Sequence, residues 1–217
     1  MNASHRKPAL LFDMDGTLLD SSPLVEKIWG DFADRHGHDV DAVVAFAHGR
    51  PTRATVAQFL PPGLDIDAEV ERIATAEATE TQGIQALPGA REYLGALMPD
   101  EWAVVTSATR AVATIRMATA GLPMPQTLVA ADDIEQGKPS PEGYLRAARA
   151  LRRDPADCVV FEDAGPGITA GLRSGAQVIV VGSHQSDATE GLVRISDFLD
   201  LVNADRVAAR AGEGWIR

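Results

Sequence analysis

Four short stretches of this chain carry side chains that could act together. The first, Phe12-Asp13-Met14-Asp15-Gly16-Thr17, sets two carboxylates two residues apart ahead of a Gly-Thr turn. At the end of an apolar strand such a pair points to one face, where the charges repel unless a cation lies between them. The N–H groups of the turn suit an anion such as phosphate. The second stretch, Thr106-Ser107-Ala108-Thr109, offers hydroxyls at a strand tip that opens a helix. That is again a place for phosphate oxygens, although serine or threonine there is also an ordinary helix cap. The third holds Lys138 between Gly137 and Pro139, which restrains its stem. A restrained ammonium can neutralise a nucleophilic carboxylate and a phosphoryl oxygen at once. The fourth, Phe161-Glu162-Asp163-Ala164-Gly165-Pro166-Gly167, repeats the acidic pair and the glycine-rich turn, with helix capping by Asp163 as the plainer alternative. Magnesium takes oxygen ligands in an octahedron and keeps several waters, so one or two carboxylates from each pair suffice to hold it.

These stretches need elements that bring them to one place. Five short apolar runs stand out: 9–14, 102–107, 127–131, 159–162 and 178–181. Near-continuous apolar character, in place of alternation, implies strands buried on both faces and hence a parallel sheet. Helical patterns of crossover length lie between, at 90–98, 110–120, 141–151 and 165–174. Strands alternating with helices imply a doubly wound, Rossmann-like α/β fold, in which ligands bind at the carboxyl ends of the strands. One interval breaks the rhythm. From 19 to 86 only helical patterns occur (23–36, 41–46, 52–60 and 68–82), punctuated at Gly49, Pro51 and Pro61-Pro62-Gly63. So long a connection needs structure of its own. The expectation is an inserted α-helical cap over 19–86 and a catalytic core over 1–18 and 87–217.

Composition narrows the partners. The 217 residues are 45% hydrophobic, enough for a packed core, and carry a net charge of −11, which disfavours nucleic acid and anionic membrane surfaces. An acidic protein that takes a phosphate ester must supply a local cation. The single cysteine, Cys158, lies in an apolar run and reads as buried packing in a reducing compartment. Residues 1–7 are polar and basic and no run reaches the ~18 apolar residues of a spanning helix. The expectation is a cytoplasmic monomer.

The ordered set of acidic pair, hydroxyl pair, lysine and acidic pair resembles the haloacid dehalogenase superfamily of phosphotransferases, over essentially the whole chain. Asp13-Met14-Asp15-Gly16-Thr17 matches the first motif of that family, Thr106-Ser107 the second, Lys138 the third and Glu162-Asp163 the fourth. Helices inserted after the first strand match its members with a small helical cap. The likeness extends to the branch of glycerol-phosphate and 2-deoxyglucose-6-phosphate phosphatases, through Glu101 to Arg110, Gln136 to Glu142, and His48-Gly49 followed by Thr52 in the cap. Ala108 departs from it, where that branch commonly carries glycine.

The resemblance implies a Mg2+-dependent phosphomonoester hydrolase for a small phosphorylated metabolite, a sugar or polyol phosphate. It implies Asp13 as nucleophile, forming an aspartyl-phosphate, and Asp15 as acid and base. It implies a metal held by Asp13, the Asp15 carbonyl and Asp163, with Glu162 behind them through water. Phosphate falls to Thr106, Ser107 and Lys138. In the cap, His48, Arg50 and Thr52 are the candidates to touch the leaving group, and Trp29 reads more as packing than contact. Residues 16–22 and 87–89 are the expected hinges. A β-phosphoglucomutase-like sugar phosphomutase is the alternative. That family carries a histidine in the first cap helix and a lysine in the cap loop, where this chain has Val25 and His48.

Overall fold

The computed structural model describes residues 7–47 and 50–204, and every count and absence below refers to these. The first apolar run forms strand β1 (Ala9–Phe12), buried along its whole length. It pairs in parallel with β4 (Trp102–Val105) on one side and β6 (Cys158–Glu162) on the other. Strand β5 (Thr127–Val129) extends the sheet beyond β4, and β7 (Gln177–Val181) and β8 (Val193–Ile195) extend it beyond β6. The spatial order is β5-β4-β1-β6-β7-β8. Among sheet strands numbered by chain order this is the doubly wound arrangement, whose order reverses between β1 and β6; ligands bind at such a switch point.

Burial on both faces explains the continuous apolar runs. On one face Leu10 and Phe12 meet Trp102, Val104, Phe161 and Phe198. Phe12 stacks on Phe161 at 4.8 Å and meets the Trp102 ring edge-on at 6.2 Å. Helices α5 (Ala90–Gly95) and α6 (Arg110–Thr119) bury Tyr93, Leu94, Ala113 and Met117 in this layer. On the other face Ala9 and Leu11 join Ala103, Val105, Cys158 and Val160. There α7 (Glu142–Ala150) and α8 (Gly165–Ser174) contribute Tyr144, Ala147, Ile168 and Ala170. Cys158 packs within this layer, and burial pushes its thiol up to about 11.

The interval after β1 is helical. Four helices, α1 (Ser22–His36), α2 (Val40–Ala47), α3 (Thr52–Phe59) and α4 (Ile66–Thr79), stand between β2 (Leu19–Asp20) and β3 (Gln85–Ala86). The two short strands pair antiparallel and form a narrow neck. Leu24, Trp29, Phe32, Val43, Val56 and Ile73 fill the space among these helices and run into the core layer through Leu18 and Leu19. Trp29 is buried, with Phe32 edge-on at 5.5 Å. The apolar centre of the insertion is therefore continuous with the layer on the Phe12 face of the sheet, and the neck carries the chain between them. No helix is long and apolar enough to cross a membrane.

Two elements escape the sequence pattern. Strand β8 is only three residues long and two of them are exposed, so it carries no buried run. The β2–β3 neck is too short for any periodicity.

Candidate active site

At the carboxyl edge of the sheet, the loops after β1, β4, β5 and β6 converge on Lys138. Its ammonium donates to Asp13 Oδ1, to Glu162 Oε1 at 2.6 Å and to the Val105 carbonyl at 3.2 Å. One side chain thus ties together the ends of three neighbouring strands. The Lys138 side chain is 8% exposed, and the Lys138–Pro139 peptide is cis. Burial works against its charge, but Asp13 and Glu162 outweigh burial and hold the ammonium above its ordinary range.

Glu162 is fully engaged. Oε1 accepts from Lys138 and from the Tyr144 hydroxyl at 2.7 Å, and Oε2 from the N–H groups of Asp163 and Ala164 at 3.1 and 3.4 Å. Burial, then the Glu162 charge, raises the Tyr144 hydroxyl well above its ordinary value, so it stays a donor. A β-carbon on Gly167 would strike the Glu162 carboxylate, which is why the turn behind this pair needs glycine.

Asp13 is buried, with Lys138 as its cation. Burial, opposed by Lys138 and reinforced by Glu162 and Asp163, holds its carboxyl well above the usual range. Asp163 accepts the Thr17 hydroxyl at 3.1 Å. Oxygens of Asp13, Glu162 and Asp163 lie within 4.8 Å of one another. Three carboxylates around one ammonium leave an excess of negative charge, and all the donors are hard oxygens. That set fits a small divalent cation such as Mg2+.

Strand β1 ends at Phe12, so strand alternation does not govern the residues that follow. Gly16, at φ 84°, turns the chain back toward Leu19; an L side chain there would be strained and would also strike Asp163. Asp13 and Asp15 bond two different cations. Asp15 Oδ1 accepts from Ser21 at 2.6 Å and from Arg116 at 2.9 Å. Arg116 also reaches Glu77 of α4 at 3.0 Å.

Thr106 is buried and Ser107 half-buried at the end of β4. The capping role that competes for these hydroxyls belongs to Thr109, whose side chain accepts from Val112 N at 3.4 Å. Thr106 Oγ1 accepts from Ala108 N at 3.0 Å.

In the insertion, Arg50 is exposed. It lies over the Phe46 ring at 4.4 Å and donates to the Phe46 carbonyl. Thr52 opens α3. The loop between them approaches the lysine loop, since a β-carbon on Gly137 would stand 3.5 Å from the Pro51 ring. His48 lies outside the described residues. Sequence reasoning missed Tyr144, Arg116, Ser21 and Glu77. Arg116 had a readable signal, a cation on the inward stripe of α6, and the others had none.

The family model for haloacid dehalogenase-like hydrolases matches residues 7–175. Hexitol phosphatase A of Escherichia coli (strain K12) is 44% identical over 180 residues, covering 81% of this chain and 83% of that protein. Glycerol-1-phosphate phosphohydrolase 2 of Saccharomyces cerevisiae is 35% identical over 185 residues, covering 79% and 73%. Among solved structures, a hydrolase from Pseudomonas syringae superposes with a TM-score of 0.76 at 28% identity, covering 91% of this chain and 97% of that one.

Proposed function

The chain belongs to the haloacid dehalogenase-like hydrolases, and from that premise we propose that this phosphoric monoester hydrolase acts on a small sugar or polyol phosphate through an aspartyl-phosphate on Asp13. The observation that carries the reading is the Lys138 ammonium shared by Asp13 and Glu162 beside Asp163, at the point where strand order reverses. The choice of polyol rests on the relatives, which act on hexitol phosphate and glycerol 1-phosphate by name.

Asp13 attacks phosphorus through a carboxylate oxygen, the bond to the leaving oxygen breaks, and Asp15 gives that oxygen its proton. Water then attacks the phosphorus of the aspartyl-phosphate. Asp15 takes a proton from it, the bond to Asp13 breaks, and phosphate leaves. Two displacements replace one difficult step, and Asp15 serves as acid and then as base. Lys138, with the hydroxyls of Thr106 and Ser107, holds phosphoryl oxygens, so the transferring group meets fixed donors. Tyr144 and the N–H groups of Asp163 and Ala164 keep Glu162 in place beneath them. Asp13, the Asp15 carbonyl and Asp163 would hold Mg2+, with Glu162 behind. When bound, the ion screens repulsion between the nucleophile and the phosphate and offsets charge on the transferring group.

Residues 19–86 act as a cap over the remaining catalytic core, with Arg50 and Thr52 contributing to the selection of the leaving group. The working state is a cytoplasmic monomer. The test is phosphate release from hexitol phosphates, glycerol 1-phosphate and 2-deoxyglucose 6-phosphate with and without Mg2+, run beside isomerisation of glucose 1-phosphate. Metal-dependent hydrolysis favouring polyol phosphates is expected. Isomerisation without phosphate release would replace this reading by the mutase.

A further inference from the structure

The chemistry above makes no use of one buried arginine. Helix α6 turns Val112, Ala113, Arg116 and Met117 inward, so Arg116 stands where the helical pattern asks for an apolar residue. Its side chain is 4% exposed. One terminal nitrogen donates to Asp15 and the other to Glu77, at 2.9 and 3.0 Å. Asp15 lies in the core loop after β1, and Glu77 lies in the last turns of α4 within the insertion. The two carboxylates have no other element in common.

Stability is a poor account of this arrangement. Burial works against the guanidinium charge, and only Asp15 and Glu77 keep its pKa above the ordinary value. Its Nε is buried with no partner. A buried ion pair of this kind is often no better than well-packed apolar side chains. What an arginine supplies here is geometry, because its planar fork can engage two carboxylates from two different elements, whereas a lysine offers one flexible nitrogen.

The geometry at Asp15 is one-sided. Arg116 and Ser21 both bond Oδ1, and among the described residues no donor reaches Oδ2. We propose that Arg116 is a positioning residue: it pins Oδ1 so that Oδ2 is presented to the leaving oxygen, and through Glu77 it makes that alignment depend on the docked cap. Ser21, at the neck just before α1, is the second anchor. The cap thereby controls proton transfer without its helix α4 touching the reacting atoms. The inference rests on the reading of Asp15 as proton donor.

Leaving groups separate a positioning role from a structural one. An alkyl phosphate expels an alkoxide that needs a proton, whereas p-nitrophenyl phosphate expels a stable anion that does not. The quantity to compare is kcat/KM, which reports transfer to Asp13, on glycerol 1-phosphate and on the aryl ester. Asp15→Asn should lower the alkyl-to-aryl ratio by about 100-fold, as loss of a general acid does. Arg116→Gln should lower the same ratio by about 10-fold or more, since a misplaced donor loses much of the same effect. Arg116→Lys should fall between it and the parent, and Glu77→Gln should shift the ratio in the same direction by a few-fold. Circular dichroism and melting temperature establish folding; if Arg116→Gln does not fold, the charge-retaining Arg116→Lys decides. Equal losses on both esters in a folded Arg116 variant would overturn the inference while leaving Asp15 in its role. An unchanged ratio in Asp15→Asn would overturn the proton-donor reading and the inference with it.

Discussion

Two buried cations organise this molecule, and they are built differently. Lys138 joins partners that the sheet already holds in register: Asp13 follows β1, Glu162 ends the adjacent parallel strand β6, and Val105 ends β4 on the other side. Arg116 joins partners with no such framework, one in the core and one in the insertion, 101 and 39 residues away in the chain. The surroundings of Asp13 are therefore set by the sheet. Those of Asp15 are complete only while α4 lies against α6. Under the proposed two-step transfer that division is sensible, because a cap that opens to admit substrate and release phosphate would be sensed at the proposed acid–base group.

The largest expected effect breaks the Lys138 side of this comparison. Asp13→Asn should cut phosphate release by at least about 10⁴-fold with folding intact, since it removes the nucleophile itself. Appreciable turnover in a purified, folded variant would end that assignment. Next comes Lys138→Met. It removes a cation from between buried carboxylates, so activity should fall by about 10²–10³-fold and stability by about 3 kcal/mol. Denaturant melts read the second number. In the double variant with Asp13→Asn the stability loss should be smaller than the sum of the single losses, because the two charges are coupled; strict additivity would show they are not.

A smaller effect tests the turn that follows the two aspartates. Gly16→Ala places a β-carbon at positive φ and against Asp163, so a loss of about 1–3 kcal/mol is expected. Mg2+ protection, read as the rise in melting temperature on adding the ion, should weaken as well. A fully retained shift would mean that Asp163 is not where the ion binds. Smallest of all, Tyr144→Phe deletes one of four bonds to Glu162, worth about 1 kcal/mol of stability. Its kcat should stay near the parent value, because the remaining three donors still fix the carboxylate. A large fall in kcat would give the tyrosine a more direct role.

How much was legible in advance follows from where each residue sits. Strands buried on both faces write continuous apolar runs into the sequence, and a carboxylate at the end of such a run stands out. That is why Asp13 and Glu162-Asp163 could be singled out, whereas Lys138 was marked by its place between Gly137 and Pro139. Helical spacing likewise announced the insertion, with boundaries displaced by a residue or two at most ends. Strand β8 and the β2–β3 neck could not be seen, being too short to carry a period. Strand alternation has no bearing on Asp15, because the strand ends at Phe12 and the loop sets where that side chain lies.

The sequence by itself determined the fold class and the identity of the groups that meet at the carboxyl edge of the sheet. Both depend on local patterns, burial period and the residues that punctuate it. Only the tertiary structure decided which cation serves which aspartate. Pairing between residues far apart in the chain is set by how the helices pack, and no local pattern records that Glu77 and Asp15 converge on the two nitrogens of one buried guanidinium.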